Sequence, residues 1–152
     1  MNKYMQIANN EAKKNQKEKF KSGGPFGAVI VKEGKIIAKA HNTVLKDKDP
    51  TAHAEINAIK KASQKLKTHD LTGCILYTTC YPCPMCMSAI IWANINTIYY
   101  GNTKEDAANI GYKDDFIYEI LKEPNKHLKL ITIDREETIK TFEEFKNNPK
   151  LY

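Results

Sequence analysis

Three of the four cysteines in this chain fall within Thr79-Cys80-Tyr81-Pro82-Cys83-Pro84-Met85-Cys86, and Pro50-Thr51-Ala52-His53-Ala54-Glu55 stands upstream of them. Cys83 and Cys86 lie three apart, so if Pro84 opens a helix their sulfurs project from neighbouring points of its first turn and can share one metal ion. His53 can supply a third ligand. Three soft or borderline ligands with no obvious fourth is the pattern of a zinc that keeps an open position for water, whereas structural zinc sites are closed by four. Two thiolates at a helix amino terminus are favoured by the helix dipole and cancel the zinc charge. Glu55 need not reach the metal. Beside a metal-activated water it could take up a proton and pass it on, as a single shuttling carboxylate.

Each piece also has a simpler explanation. His53 could be a hydrogen-bonded residue at a helix start, Glu55 a favourable charge near a helix amino terminus, and Cys83-x-x-Cys86 a redox pair. Cys80-x-x-Cys83-x-x-Cys86 resembles the start of an iron-sulfur spacing but lacks the fourth Cys-Pro. A structural zinc using Cys80 is the other alternative. Taken jointly, the residues favour a catalytic zinc. Cys74 reads as a small buried hydrophobe.

The elements that must position these residues follow from the chain's periodicity. At 152 residues the chain is read as one domain, 1–152, long enough to bury a core without staples. Its first residues are polar and lysine-rich, the apolar run around Ile90-Ile91-Trp92 is too short to span a bilayer, and the clustered cysteines suit metal binding in a reducing compartment. A soluble, cytoplasmic protein is expected. The formal net charge of +6 is uneven, at +6 for residues 1–50, +2 for 51–100 and −2 for 101–152. Only Arg135 is an arginine, so a solvated lysine face is the better reading than a nucleic-acid footprint, and nucleic acid is not an expected partner.

Residues 2–21 read as an amphipathic surface helix with Tyr4, Ile7, Ala8, Ala12 and Phe20 as an interrupted apolar stripe. After the break Ser22-Gly23-Gly24-Pro25, residues 26–31 and 35–42 form a hairpin around Glu33-Gly34. Asp49 with Pro50, or Thr51, starts a core helix that continues through Ile56, Ile59, Ala62 and Leu66. Residues 74–79 are a central strand, 84–94 an apolar helix suited to burial or an interface, 97–101 a strand, and about 116–122 a short helix. Residues 128–133 are expected to complete the sheet, and 136–146 form a last helix within a carboxyl-terminal segment of about 134–152. The order implies an α/β fold, a three-layer α/β/α sandwich with a mixed five-stranded sheet whose first hairpin is antiparallel. Both motif helices begin where strand carboxyl ends meet helix amino ends, the usual place for a ligand site.

On these residues the chain is similar to the cytidine deaminase superfamily, and within it to bacterial guanine deaminases. The zinc motif His53-Ala54-Glu55 with Pro82-Cys83-Pro84-Met85-Cys86 carries the reaction type. Gly23-Gly24-Pro25-Phe26-Gly27, Asp114-Asp115-Phe116-Ile117-Tyr118 and the terminal Tyr152 point toward guanine. The resemblance implies one zinc per subunit on His53, Cys83 and Cys86, with Glu55 as proton shuttle and Asp114 assisting proton transfer. It implies a base stacked on Phe26 and hydrogen-bonded by Asn42, with Ala54 and Trp92 also at the pocket. The implied reaction is hydrolytic deamination of guanine to xanthine and ammonia. A homodimer is implied too, one that can exchange the carboxyl-terminal segment so that Tyr152 closes the other copy's site.

Without the resemblance, Phe26 and Trp92 are residues that a core would use anyway, Asn42 could end a strand, Asp114 could cap the helix at Phe116, and Tyr152 could be a frayed terminus. One position departs from the resemblance: guanine and tRNA deaminases usually carry Glu directly before Pro-Cys, and here stands Tyr81. A hydrogen-bond acceptor is lost there. Deamination of the tRNA wobble adenosine, deamination of cytosine or isocytosine, and a structural zinc module are the competing functions.

Overall fold

The computed structural model describes residues 1–152, which divide into two compact units, Met1–Asp114 and Asp115–Tyr152. In the first unit α1 (Lys3–Lys17) is capped by Asn2, whose side chain accepts from the backbone N–H groups of Tyr4 and Met5. The helix ends four residues earlier than its polar pattern suggests. Lys19 and Phe20 adopt left-handed backbone angles, and the Phe20 N–H bonds back to the Asn15 carbonyl at 2.7 Å, which turns the chain toward the sheet.

The sheet has the order β2-β1-β3-β4, built from β1 (Gly27–Lys32), β2 (Lys35–His41), β3 (Cys74–Cys80) and β4 (Thr97–Asn102). β1 pairs antiparallel with β2 and with β3, and β3 pairs parallel with β4. Alternation along β1 separates two cores. Ala28 and Ile30 join Leu76, Leu71 and Ile90 in a cluster with the alanines of α3 (Ala54–Leu66), while Val29 and Val31 join Tyr77 and Ala8 of α1 on the other side. Helices on both faces of a mixed sheet make the expected three layers. Fully buried side chains such as Ile30, Leu71, Leu76 and Ile90 each contribute about 1.5–3 kcal/mol of transfer free energy.

The sheet has four strands, not five. Residues Leu128–Ile133 join no ladder, and Leu128, Leu130, Ile131 and Ile133 are 51–76% exposed. Their alternating β-favouring side chains describe a strand, but a strand exists only with a hydrogen-bonded neighbour. The structure adds three short helices outside the elements expected from the sequence: α2 (Val44–Asp47), α5 (Lys104–Asn109) and α7 (Pro124–His127). α5 carries a capping box between Thr103 and Asp106. In the second unit α6 (Asp115–Lys122), α7 and α8 (Arg135–Asn147) contain no buried residue. No helix is long and apolar enough to cross a membrane.

One close approach explains part of the glycine-rich stretch. A Cβ at Gly27 would overlap the Ala8 carbonyl and stand 2.7 Å from the Ala12 amide, so α1 can press against β1 only over a glycine.

Candidate active site

His53 and Cys83 are the N-cap residues of α3 and of α4 (Pro84–Trp92) respectively, both with extended backbone angles. The helix of His53 starts later than Asp49 or Thr51 would have it. The Asp49 carboxylate is occupied in a local turn, accepting from the Thr51 N–H at 2.8 Å and the Thr51 hydroxyl at 2.7 Å. Pro84 holds the first helical position of α4, and Cys86 follows within the first turn, fully buried. The ligand atoms of His53, Cys83 and Cys86 lie within 4.8 Å of one another.

The spacing fits zinc. Zn–S and Zn–N bonds of about 2.3 and about 2.05 Å at a tetrahedral angle place nitrogen and sulfur about 3.6 Å apart. His53 Nδ1 stands 3.6 Å from Cys83 Sγ and 3.5 Å from Cys86 Sγ. Cys80 is not among the clustered donors: its thiol is directed at the Thr103 carbonyl, 3.8 Å away, and burial pushes its pKa up to about 11. The readings that recruit Cys80 as a ligand, a four-ligand zinc or an iron-sulfur cluster, therefore have no geometry behind them. Without a metal ion the three donors shift in different directions. The neighbouring Cys86 thiol holds the Cys83 thiol down to about 4 against the opposing effect of burial, with His53 assisting. The adjacent Cys83 and burial push the Cys86 thiol up, and the hydrogen bond to Cys83 raises His53.

Glu55 stands inside this cluster without belonging to it. Its carboxylate accepts from the Thr78 hydroxyl at 2.9 Å through Oε1 and lies 3.5 Å from Cys86 Sγ through Oε2. Burial lifts its pKa above the ordinary 4.5, and hydrogen bonds from its own backbone N–H and from Thr78 only partly offset this. Thr78 escaped notice in the sequence. Its signal was parity, since Cys74, Leu76 and Thr78 point to one face of β3 and the first two enter the core beneath α3 and α4.

Phe26, Asn42, His53, Glu55, Cys83 and Asp114 line one cavity, together with Cys80, Tyr81, Ala107 and Tyr112. Tyr112 meets Phe26 edge-on at 4.9 Å, and Tyr81 meets Tyr100 edge-on at 5.1 Å with the Lys104 ammonium 4.9 Å from its ring. These rings give the cavity flat apolar walls with polar groups at Asn42, Glu55 and Asp114. Ala54 is fully buried in the first turn of α3 and Trp92 is 67% exposed at the end of α4, and neither lines this cavity. Tyr152 is 84% exposed in the second unit.

Residues 1–102 match the family model of the cytidine and deoxycytidylate deaminase zinc-binding region. The chain belongs to this zinc-binding deaminase family. It is 45% identical to a guanine deaminase of Bacillus subtilis over 134 residues, 86% of each chain. It is 39% identical to a tRNA-specific adenosine deaminase of Aquifex aeolicus over 145 residues, covering 93% of this chain and 91% of that one. The X-ray structure of guanine deaminase from Bacillus subtilis superposes with a TM-score of 0.91 at 40% identity, covering 100% of this chain and 99% of the other. Membership and donor geometry agree on one zinc ion per chain at His53, Cys83 and Cys86, and membership together with the deaminase relatives makes the protein a hydrolase acting on a C–N bond.

Proposed function

We propose that this protein deaminates guanine hydrolytically, guanine and water giving xanthine and ammonia. The observation that carries the chemistry is Glu55, a buried carboxylate steadied by Thr78 beside three donors spaced for zinc. The choice of base rests on the full-length likeness to a guanine deaminase. Zinc, when bound, supplies the Lewis acidity that makes water a nucleophile at neutral pH. Glu55 takes a proton from the attacking water and delivers it to the ring nitrogen next to the carbon that carries the amine. A carboxylate whose pKa burial has raised is suited to both halves of that transfer. Phe26 stacks on the purine, Asn42 reads its edge, and Asp114 receives the exocyclic amine and helps it leave as ammonia. Tyr81 adds a neutral aromatic wall where a carboxylate would have added an acceptor.

Each chain is a single deaminase domain that works as a homodimer, with the segment of about 134–152 exchanged so that Tyr152 of one copy closes the site of the other. Supporting this are Ile91 and Trp92 of α4, Tyr99 of β4, and Leu121, Ile133 and Phe142 of the second unit, all large, apolar or aromatic, and more than half exposed in the single chain. A cytoplasmic role in purine metabolism suits cysteines that must stay reduced.

The deciding assay incubates zinc-loaded protein with guanine, adenine, cytosine, isocytosine and a tRNA anticodon stem-loop and follows ammonia release. Guanine is expected to be the preferred substrate. Inosine in the tRNA product, or turnover of another base in place of guanine, would replace the assignment. Light scattering tests the dimer, and a monomer at assay concentration removes it.

A further inference from the structure

The segment with the least apparent chemistry in the sequence, lysine-rich α1, carries two buried polar residues on one face, Glu11 and Asn15, one turn apart. Glu11 Oε2 pairs with His41 Nδ1 at 3.1 Å. Asn15 is fully buried, and its Nδ2 donates to the Gly24 carbonyl at 2.7 Å and to the Asn42 carbonyl at 2.8 Å.

These two bonds close a circuit. The Phe26 N–H donates to the Gly24 carbonyl at 2.9 Å, and the Asn42 N–H donates to the Phe26 carbonyl at 3.1 Å. Asn15 ties the outer ends of that chain, Gly24 and Asn42, to one amide group. Phe26 and Asn42 both line the cavity, one offering a ring face and the other a hydrogen-bonding edge. A planar base held by both needs them at one mutual placement. Two further details say the placement is exacting. A Cβ at Gly23 would overlap Asn42 Oδ1 and stand 2.8 Å from its carbonyl, and Asn42 Oδ1 already accepts from the Val44 N–H at 3.1 Å.

Asn15 Oδ1 accepts no hydrogen bond, and no other buried side-chain oxygen or nitrogen in the protein lacks a partner. Turning the amide over would aim that oxygen at two carbonyl oxygens, so the two acceptors dictate its orientation. An apolar side chain of the same size would avoid the orphaned oxygen. The N–H pair is what only the asparagine provides.

We infer that Asn15 is a positioning residue for substrate recognition: through one buried amide it sets Phe26 and Asn42 at the mutual distance that holds the purine. This rests on the assignment of Phe26 and Asn42 as base-holding residues in the reading above. Asn15→Leu keeps the volume and removes both donors, and Asn15→Asp keeps the shape and replaces both donors with acceptors. Val31→Ala, which loosens the core beneath α1 far from the circuit, is the control for lost stability.

At a temperature where all variants are folded, both Asn15 variants are expected to raise KM for guanine about tenfold or more while kcat falls less, with zinc content unchanged. Val31→Ala lowers Tm and leaves KM within twofold. Hydrogen exchange gives a readout without turnover: the Asn42 amide loses protection in both Asn15 variants while the amides of α3 keep theirs. If the wild type turns over a base other than guanine, the substrate assignment fails, and the same KM comparison is made on that base. Unchanged Asn42 protection with unchanged KM in Asn15→Leu, or an equal KM rise in Val31→Ala, overturns the inference.

Discussion

Thr78→Val removes the shortest side-chain hydrogen bond made to the Glu55 carboxylate. Valine matches threonine in shape and keeps the β-branched side chain that a central strand favours, so the change removes one hydroxyl donor and little else. That hydroxyl stands 2.9 Å from Glu55 Oε1, with both residues buried. A hydrogen bond to a charged group contributes about 1.5–3 kcal/mol, and each 1.4 kcal/mol is tenfold, so kcat/KM should fall about 10- to 150-fold. Zinc content by elemental analysis should stay at the wild-type value, because no donor atom is touched. Thr78→Ser keeps the hydroxyl and loses a methyl, so it should be less stable yet stay within a few-fold of the wild-type rate. Steady-state ammonia release measures both variants. A wild-type rate in Thr78→Val, or an equal loss in Thr78→Ser, refutes the idea that the hydroxyl steadies the shuttle.

Three further outcomes follow from the same geometry. Glu55→Gln should retain zinc and fold but lose turnover by at least two to four orders of magnitude, the usual worth of a general acid/base, as read by kcat in the ammonia assay. Burial would raise the pKa of Glu11, but hydrogen bonds from Lys14 and His41 outweigh it and hold the carboxylate below the ordinary 4.5. A depressed folded pKa contributes stability above the unfolded value and loses it as pH falls through the folded one. The Tm difference between wild type and Glu11→Gln should therefore be full at neutral pH and shrink once pH drops below about 4.5. Gly27→Ala should force α1 away from β1 and cost about 1–3 kcal/mol in denaturant unfolding, because its Cβ meets backbone atoms of Ala8 and Ala12 that have no rotamer to yield.

The sequence by itself determined the features whose physics is local. Cys83 and Cys86 flank Pro84 at helical spacing, so a shared metal site on the first turn follows from the chain. The hairpin around Glu33-Gly34 and the continuous apolar run of β3 follow from turn chemistry and from strand composition. His53 and Glu55 were legible through their pattern with the cysteines, although they stand about thirty residues away. Only the tertiary structure decided which polar residues serve that site. Glu11 and Asn15 sit among lysines in a helix whose sequence reads as solvent-facing, and their burial depends on where His41, Gly24 and Asn42 arrive from β2 and the glycine loop. Thr78 becomes a partner of Glu55 because α3 packs on the face of the sheet to which Thr78 points. Leu128–Ile133 has strand composition but no ladder, since pairing belongs to a neighbour and not to the segment itself. Spacing within one helix or strand is written in covalent geometry, whereas a hydrogen bond between distant residues exists only once packing has brought its two ends within about 3 Å.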